Sequence, residues 1–155
     1  GEERRIIYTV EHWPNYAKYA AGLIILVLIG TYSAGEITKP RIKKKVVKRS
    51  NGTHTVILEI KNPIKELDSV IIRDFVSPLA RVHKSFEHLK PVSKTSDAGT
   101  ELIWKIGKMK PREERVLSYR MKPLVGGELK MPKAYLRFRN NKGERIRVFS
   151  KHLMI

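Results

Sequence analysis

The side chains able to do chemistry are few and scattered. The five histidines are His12, His54, His83, His88 and His152. His83 and His88 are five residues apart, which puts them on opposite faces of a strand and off the i, i+4 spacing of a helical metal pair. They read as solvated surface histidines. There is no cysteine, so neither a disulfide nor a thiolate metal site is available. No glycine-rich phosphate loop follows a strand pattern, and no Gly-x-Ser-x-Gly elbow is present. Asp74 and Glu101 are a carboxylate pair that folding could bring together, although their spacing gives no reason to single them out. The expectation is a protein without catalytic residues, cofactor or metal.

Charge carries more information. Residues 1 to 35 hold as many cations (Arg4, Arg5, Lys18) as anions (Glu2, Glu3, Glu11), so the net charge of +17 lies on residues 36 to 155. Seven cations, Lys39, Arg41, Lys43, Lys44, Lys45, Lys48 and Arg49, crowd one short run. Beside a membrane such a cluster attracts anionic headgroups at about 1 kcal/mol per cation. Two other readings stand: a nucleic-acid or ribosome site whose affinity falls steeply with salt, and the Lys-rich solvated surface of a protein from a hot environment. Against nucleic acid, only Tyr135 and Phe149 offer stacking surfaces beside the basic residues near the C-terminus.

The elements that must position these groups begin with an apolar run. Tyr19 to Gly35 holds seventeen consecutive uncharged residues, with an unbroken aliphatic centre from Leu23 to Ile29. A helix extended back to Trp13 predicts a membrane span over 13–35, with Trp13, Tyr16 and Tyr19 at one interface and Tyr32 at the other. A buried helix of a soluble domain is the alternative, and a secretory signal is disfavoured because the basic cluster lies downstream. That cluster would set the orientation with the C-terminal domain in the cytoplasm. Asn51-Gly52-Thr53 argues the other way as an N-glycosylation sequon. Asn51-Gly52 also reads as a two-residue hairpin turn between two strand patterns.

After the apolar run the pattern is period two. Val56, Leu58 and Ile60 share a face, as do Leu102, Trp104 and Ile106, then Leu117, Tyr119 and Met121, then Leu136 and Phe138; Ser69 to Val76 is rich in β-branched residues. Breaks at Asn62-Pro63, Ser77-Pro78, Lys110-Pro111 and Gly126-Gly127 complete the signature of an all-β sandwich. In the last hairpin, a three-residue loop Asn141-Lys142-Gly143 with Gly143 left-handed sets Phe138 opposite Ile146 and Leu136 opposite Val148. The other face then gathers Arg137 with Arg147 and Arg139 with Arg145, four cations that call for an anionic partner or nearby carboxylates.

The runs VILEIKNP, VIIRDFVSPL and LIWKIGKMKPREERVLSYRMKPL resemble the conserved repeat domain (the eleven-type domain of unknown function) found in tandem on archaeal and bacterial surface proteins. The matching positions are Asn62, Asp74, Pro78, Trp104, Ile106, Gly107, Pro111, Glu113 and Tyr119, over about Thr55 to Val125. The usual turn glycine after Pro111 is replaced by Arg112. The resemblance implies an immunoglobulin-like β-sandwich with a structural or adhesive role, usually outside the cell, and no catalytic residues.

Residues 2–8 repeat part of 113–119, with Glu2-Glu3-Arg4 matching Glu113-Glu114-Arg115, Ile6 matching Leu117 and Tyr8 matching Tyr119. This predicts that residues 1–12 are the tail strand of a preceding repeat and that the natural chain extends upstream. The expected organisation is a tail strand at 1–12, a transmembrane helix at 13–35, a basic juxtamembrane segment and first strand at 36–53, and a sandwich at 54–155. The expected function is a single-span, non-enzymatic scaffold with its sandwich in the cytoplasm near anionic lipid and an unidentified protein partner. The alternatives are an extracellular surface-layer or adhesion module and a membrane-tethered nucleic-acid or ribosome binder.

Overall fold

The computed structural model describes residues 16–37, 39–83, 86, 89–140 and 142–155. It divides into two units, one holding a helix and the other holding the strands. The proposed tail strand at 1–12 lies outside the described residues.

Helix α1 spans Tyr16–Ile37. Leu23, Ile24, Ile25, Leu26, Val27, Leu28 and Ile29 are all exposed, from 56% to 72%. Seven consecutive helical residues face every direction, so the apolar surface goes all round rather than forming a stripe. Among the described residues, no helix is long and apolar enough to cross a membrane. The expected span over 13–35 is corrected accordingly. The aliphatic run covers only about 10 Å of helix, against a hydrocarbon core of about 30 Å, and Trp13 lies outside the described residues.

The second unit is a sandwich of two antiparallel sheets. The first has the order β1-β2-β7-β4, from β1 (Arg41–Lys48), β2 (His54–Lys61), β4 (Ala80–Val82) and β7 (Glu114–Pro123). The second has the order β10-β9-β3-β6-β5, from β3 (Leu67–Val76), β5 (Val92–Ser96), β6 (Gly99–Met109), β9 (Tyr135–Arg139) and β10 (Arg145–Phe149). A small sheet pairs β8 (Lys130–Met131) with β11 (Leu153–Met154).

Alternation along each strand builds the core. Val56, Leu58 and Ile60 from β2, Leu117, Tyr119 and Met121 from β7, Leu102 and Trp104 from β6, and Leu136 and Phe138 from β9 are all buried, as period-two reading requires. Trp104 donates its indole N–H to the Leu89 carbonyl at 2.9 Å, and its ring centroid lies 6.2 Å from that of Tyr119. Asn62 is buried at the end of β2, and its amide nitrogen reaches the carbonyls of Lys65 (2.6 Å) and Lys110 (2.7 Å). It thereby ties β2 to the turn that follows β6.

The turns show where local chemistry decided. Arg49 N–H bonds Thr53 O, Gly52 N–H bonds Arg49 O, and only Gly52 of this loop is left-handed (φ 73°). The loop is therefore Ser50-Asn51-Gly52, three residues rather than the expected two, because Asn51 does not take positive φ. The same pair of bonds closes the last hairpin between Asn140 and Glu144, with Gly143 at φ 80°. There the expected register holds: Ile146 pairs with Phe138 and Val148 with Leu136. Asn141 itself lies outside the described residues.

Between Lys110 and Glu113 the chain turns through Pro111 and Arg112, and Arg112 has φ 60°. Proline followed by a positive φ is the type II pattern, which favours glycine at the second position. Glu113 accepts from the Lys110 amide and from Arg115, both at 2.7 Å, and these bonds, the amide first, hold its carboxyl below the ordinary 4.5.

Candidate functional site

The seven clustered cations do not form one surface. Strand β1 alternates, so Arg41, Lys43 and Lys45 face outward while Ile42 and Lys44 face the core. One acid serves two of the outward cations: Glu59 lies opposite Lys43 in register and is ion-paired to Lys45. Lys39, Lys48 and Arg49 remain exposed, Arg49 donating to the Thr55 hydroxyl at 3.0 Å.

Lys44 is the correction. Expected as an anion-binding surface residue, it has no exposed side-chain area, because an eight-residue strand turns every second side chain inward. Its Nζ lies 2.6 Å from Oδ1 of Asp74, whose side chain is equally buried, and donates to the Pro132 carbonyl at 3.0 Å. The Tyr119 hydroxyl donates to Asp74 Oδ2 at 2.8 Å, and the Phe75 amide donates to Oδ1 at 2.9 Å. Lys44 and Tyr119 come from the first sheet, on the two strands that flank β2, and Asp74 comes from the centre of the second. The cluster is thus a polar bridge through the core.

Burial dominates the titration of this cluster. Desolvation raises the Asp74 carboxyl above its ordinary 3.8, against the opposing pull of Lys44 and of the bonds from Tyr119 and Phe75. Desolvation first, and then the neighbouring carboxyl, push the Tyr119 phenol well above 10.0. Asp74 and Glu101 do not meet. Glu101 sits on the opposite face of the sheet, paired with Arg73 at 3.0 Å.

A second arrangement lies on the outside of β9 and β10. The register sets Arg137 beside Arg147 and Arg139 beside Arg145, as the loop geometry predicts. Asp68 of β3 lies opposite Arg139 in register. At the far end Tyr135 and Phe149 pair across the strands, with ring centroids 5.7 Å apart. The Arg147 guanidinium lies 5.9 Å from the Tyr135 ring centroid, within cation–π range. The result is an exposed cationic ladder ending in an aromatic platform, able to meet a flat or extended anion.

A cleft of about 580 Å³ opens beside β4 and β5, lined by Arg81, Lys90, Ser93 and Thr95 among others. No group of three or more acid, histidine or cysteine side chains is placed to hold a metal among the described residues. His88 and His12 lie outside those residues. Asn51 is exposed at the tip of its loop, where its side chain accepts from the Thr53 amide and hydroxyl.

The sandwich is a known architecture. It superposes on the full-length major pilin SpaD from Corynebacterium diphtheriae with a TM-score of 0.59 and 14% identity, covering 75% of this chain and 35% of that one. It superposes on BcpA, the major pilin subunit of Bacillus cereus, with a TM-score of 0.53 and 15% identity, covering 75% and 39%. The chain therefore spans about a third to two fifths of the pilins it resembles, and the likeness is one of fold. No family model and no curated protein matches it.

Proposed function

We propose that this chain is a non-enzymatic module of a cell-surface assembly, whose immunoglobulin-like sandwich serves a structural or adhesive role. The observation that carries the reading is the fold it shares with two major pilin proteins. The conserved repeat domain, which its sequence resembles, points the same way. The buried polar groups support it: Lys44, Asp74, Tyr119 and Asn62 are used to join strands and sheets. On this reading the arginine ladder of β9 and β10 is the contact surface, and its complement is an anionic surface polymer or an acidic partner.

Topology tests the proposal. Lys142 is exposed in the last loop and the chain contains no cysteine. A Lys142→Cys variant of the full-length protein, treated in intact cells with a membrane-impermeant thiol reagent, should be labelled before lysis. Labelling only after lysis would overturn the surface placement and return the sandwich to the cytoplasm.

A second reading is favoured by α1, whose aliphatic run is exposed on every side. Seven such side chains in water are costly, at roughly 1.5–3 kcal/mol each relative to burial. A lipid interface, without being crossed, would cover part of that surface, and the outward cations of β1 would independently be attracted to anionic headgroups. Sedimentation of the full chain with anionic but not with zwitterionic vesicles is the expected result. Equal failure with both would remove lipid as the partner.

A further inference from the structure

The bridge between Lys44 and Asp74 is costly as an ordinary ion pair. Both side chains are without solvent exposure. Taking two charges out of water is expensive even after relaxation, and mutual attraction seldom returns a surplus. Asp74 accepts from three donors: Lys44 and the Phe75 amide at Oδ1, Tyr119 at Oδ2. The lysine is fixed in turn by the Pro132 carbonyl. A nucleophilic nitrogen is therefore held against a carboxyl group, away from bulk solvent, by groups that restrict both.

From this arrangement we infer that Lys44 Nζ and Asp74 Cγ join in an intramolecular amide that covalently crosslinks the two sheets. The reaction needs no co-reactant. A proton passes from the lysine ammonium to Oδ1 across the 2.6 Å contact, leaving a neutral amine and a neutral acid. Burial, which raises the Asp74 carboxyl, favours that neutral form. The nitrogen lone pair adds to Cγ, and negative charge develops on Oδ2, where the Tyr119 hydroxyl already donates. A second proton moves from nitrogen to Oδ1, the Cγ–Oδ1 bond breaks, and water leaves. The remaining amide N–H keeps the Pro132 carbonyl as acceptor.

Holding the two groups together supplies what free amine and acid lack. Effective molarities of well-oriented intramolecular pairs reach about 10⁵–10⁸ M. Expelling water from the closed core also opposes hydrolysis of the product. Tyr119 is a catalytic residue of this step, since its hydroxyl touches the reacting carboxyl. Its counterpart without the hydroxyl should crosslink more slowly.

Intact mass under denaturing conditions reads the result directly. The full chain should weigh one water less than its sequence, and proteolysis should release the peptides holding Lys44 and Asp74 as one branched species. The full sequence mass with separate peptides would overturn the inference. So would a lost water with separate peptides, because that marks a cyclic imide at Asp74 alone. Lys44→Arg and Asp74→Ala should each restore the full sequence mass, a readout that unfolding does not imitate. Asp74→Asn offers ammonia as the leaving group, so a branched species one ammonia lighter than its own sequence is the expected result. Tyr119→Phe should lower the crosslinked fraction at early times after synthesis. An unchanged rate would remove the tyrosine from the step.

Discussion

At the scale of single residues, Arg112 and Tyr119 hold positions whose chemistry can be read and changed. Arg112 occupies a left-handed position in a tight turn, where an L side chain costs roughly 1–2 kcal/mol. Replacing it with glycine relieves that strain but adds freedom to the unfolded chain. Arg112→Gly should therefore raise stability by about 0.5–1 kcal/mol, seen as a higher urea midpoint at unchanged slope. Tyr119 gives a pH signature. Its folded-state pKa lies above the ordinary 10.0, so the folded protein holds a proton that the unfolded chain releases. Stability contributed by the neutral phenol is complete below pH 10 and is lost as pH rises beyond it. Urea titrations between pH 9 and 11 should show this decline in the parent, and Tyr119→Phe should flatten it. Lys44 shows the limit of reading residues by type. A lysine within a run of lysines reads as surface, and the signal that placed it was its position between Ile42 and Val46 in an alternating strand.

At the scale of elements, the edges matter most. Strands β1 and β10 each end a sheet, and unpaired edges invite pairing with another chain. Both carry outward cations: Arg41, Lys43 and Lys45 on β1, Arg145 and Arg147 on β10. Beyond any role in binding, these charges oppose edge-to-edge association. The double variant Arg145→Thr with Arg147→Thr keeps a strand-compatible shape and removes the charge. It should sediment as larger species with rising concentration at moderate salt, where the parent stays unchanged. Strands β4, β5, β8 and β11 are short or wholly exposed and carry no alternation, whereas β1, β2, β3, β6, β7, β9 and β10 were legible because alternation survives in them. The two irregularities were not. Ser69 has φ 53° at a register shift in β3, and the Asn51 loop holds three residues. Bulges and loop lengths depend on how neighbouring strands twist and pair, and a single strand's alternation does not record that.

At the scale of the whole molecule, the net charge of +17 dominates. Self-repulsion among these cations is relieved by salt, with a Debye length of about 10 Å at 0.1 M and about 3 Å at 1 M. Thermal unfolding should therefore move upward by a few degrees between low salt and roughly 0.5 M sodium chloride. A falling Tm would show that the surface ion pairs, such as Lys61–Glu114 and Arg73–Glu101, outweigh the repulsion. The sequence by itself determined the all-β class, the faces of β2, β6, β7 and β9, and the arginine register of the last hairpin, because alternation and turn chemistry are local. Tertiary structure alone decided that Lys44, Asp74 and Tyr119 meet. They sit on three strands that no local pattern connects, and only the stacking of one sheet on the other sets a lysine against a carboxyl where neither side chain reaches solvent.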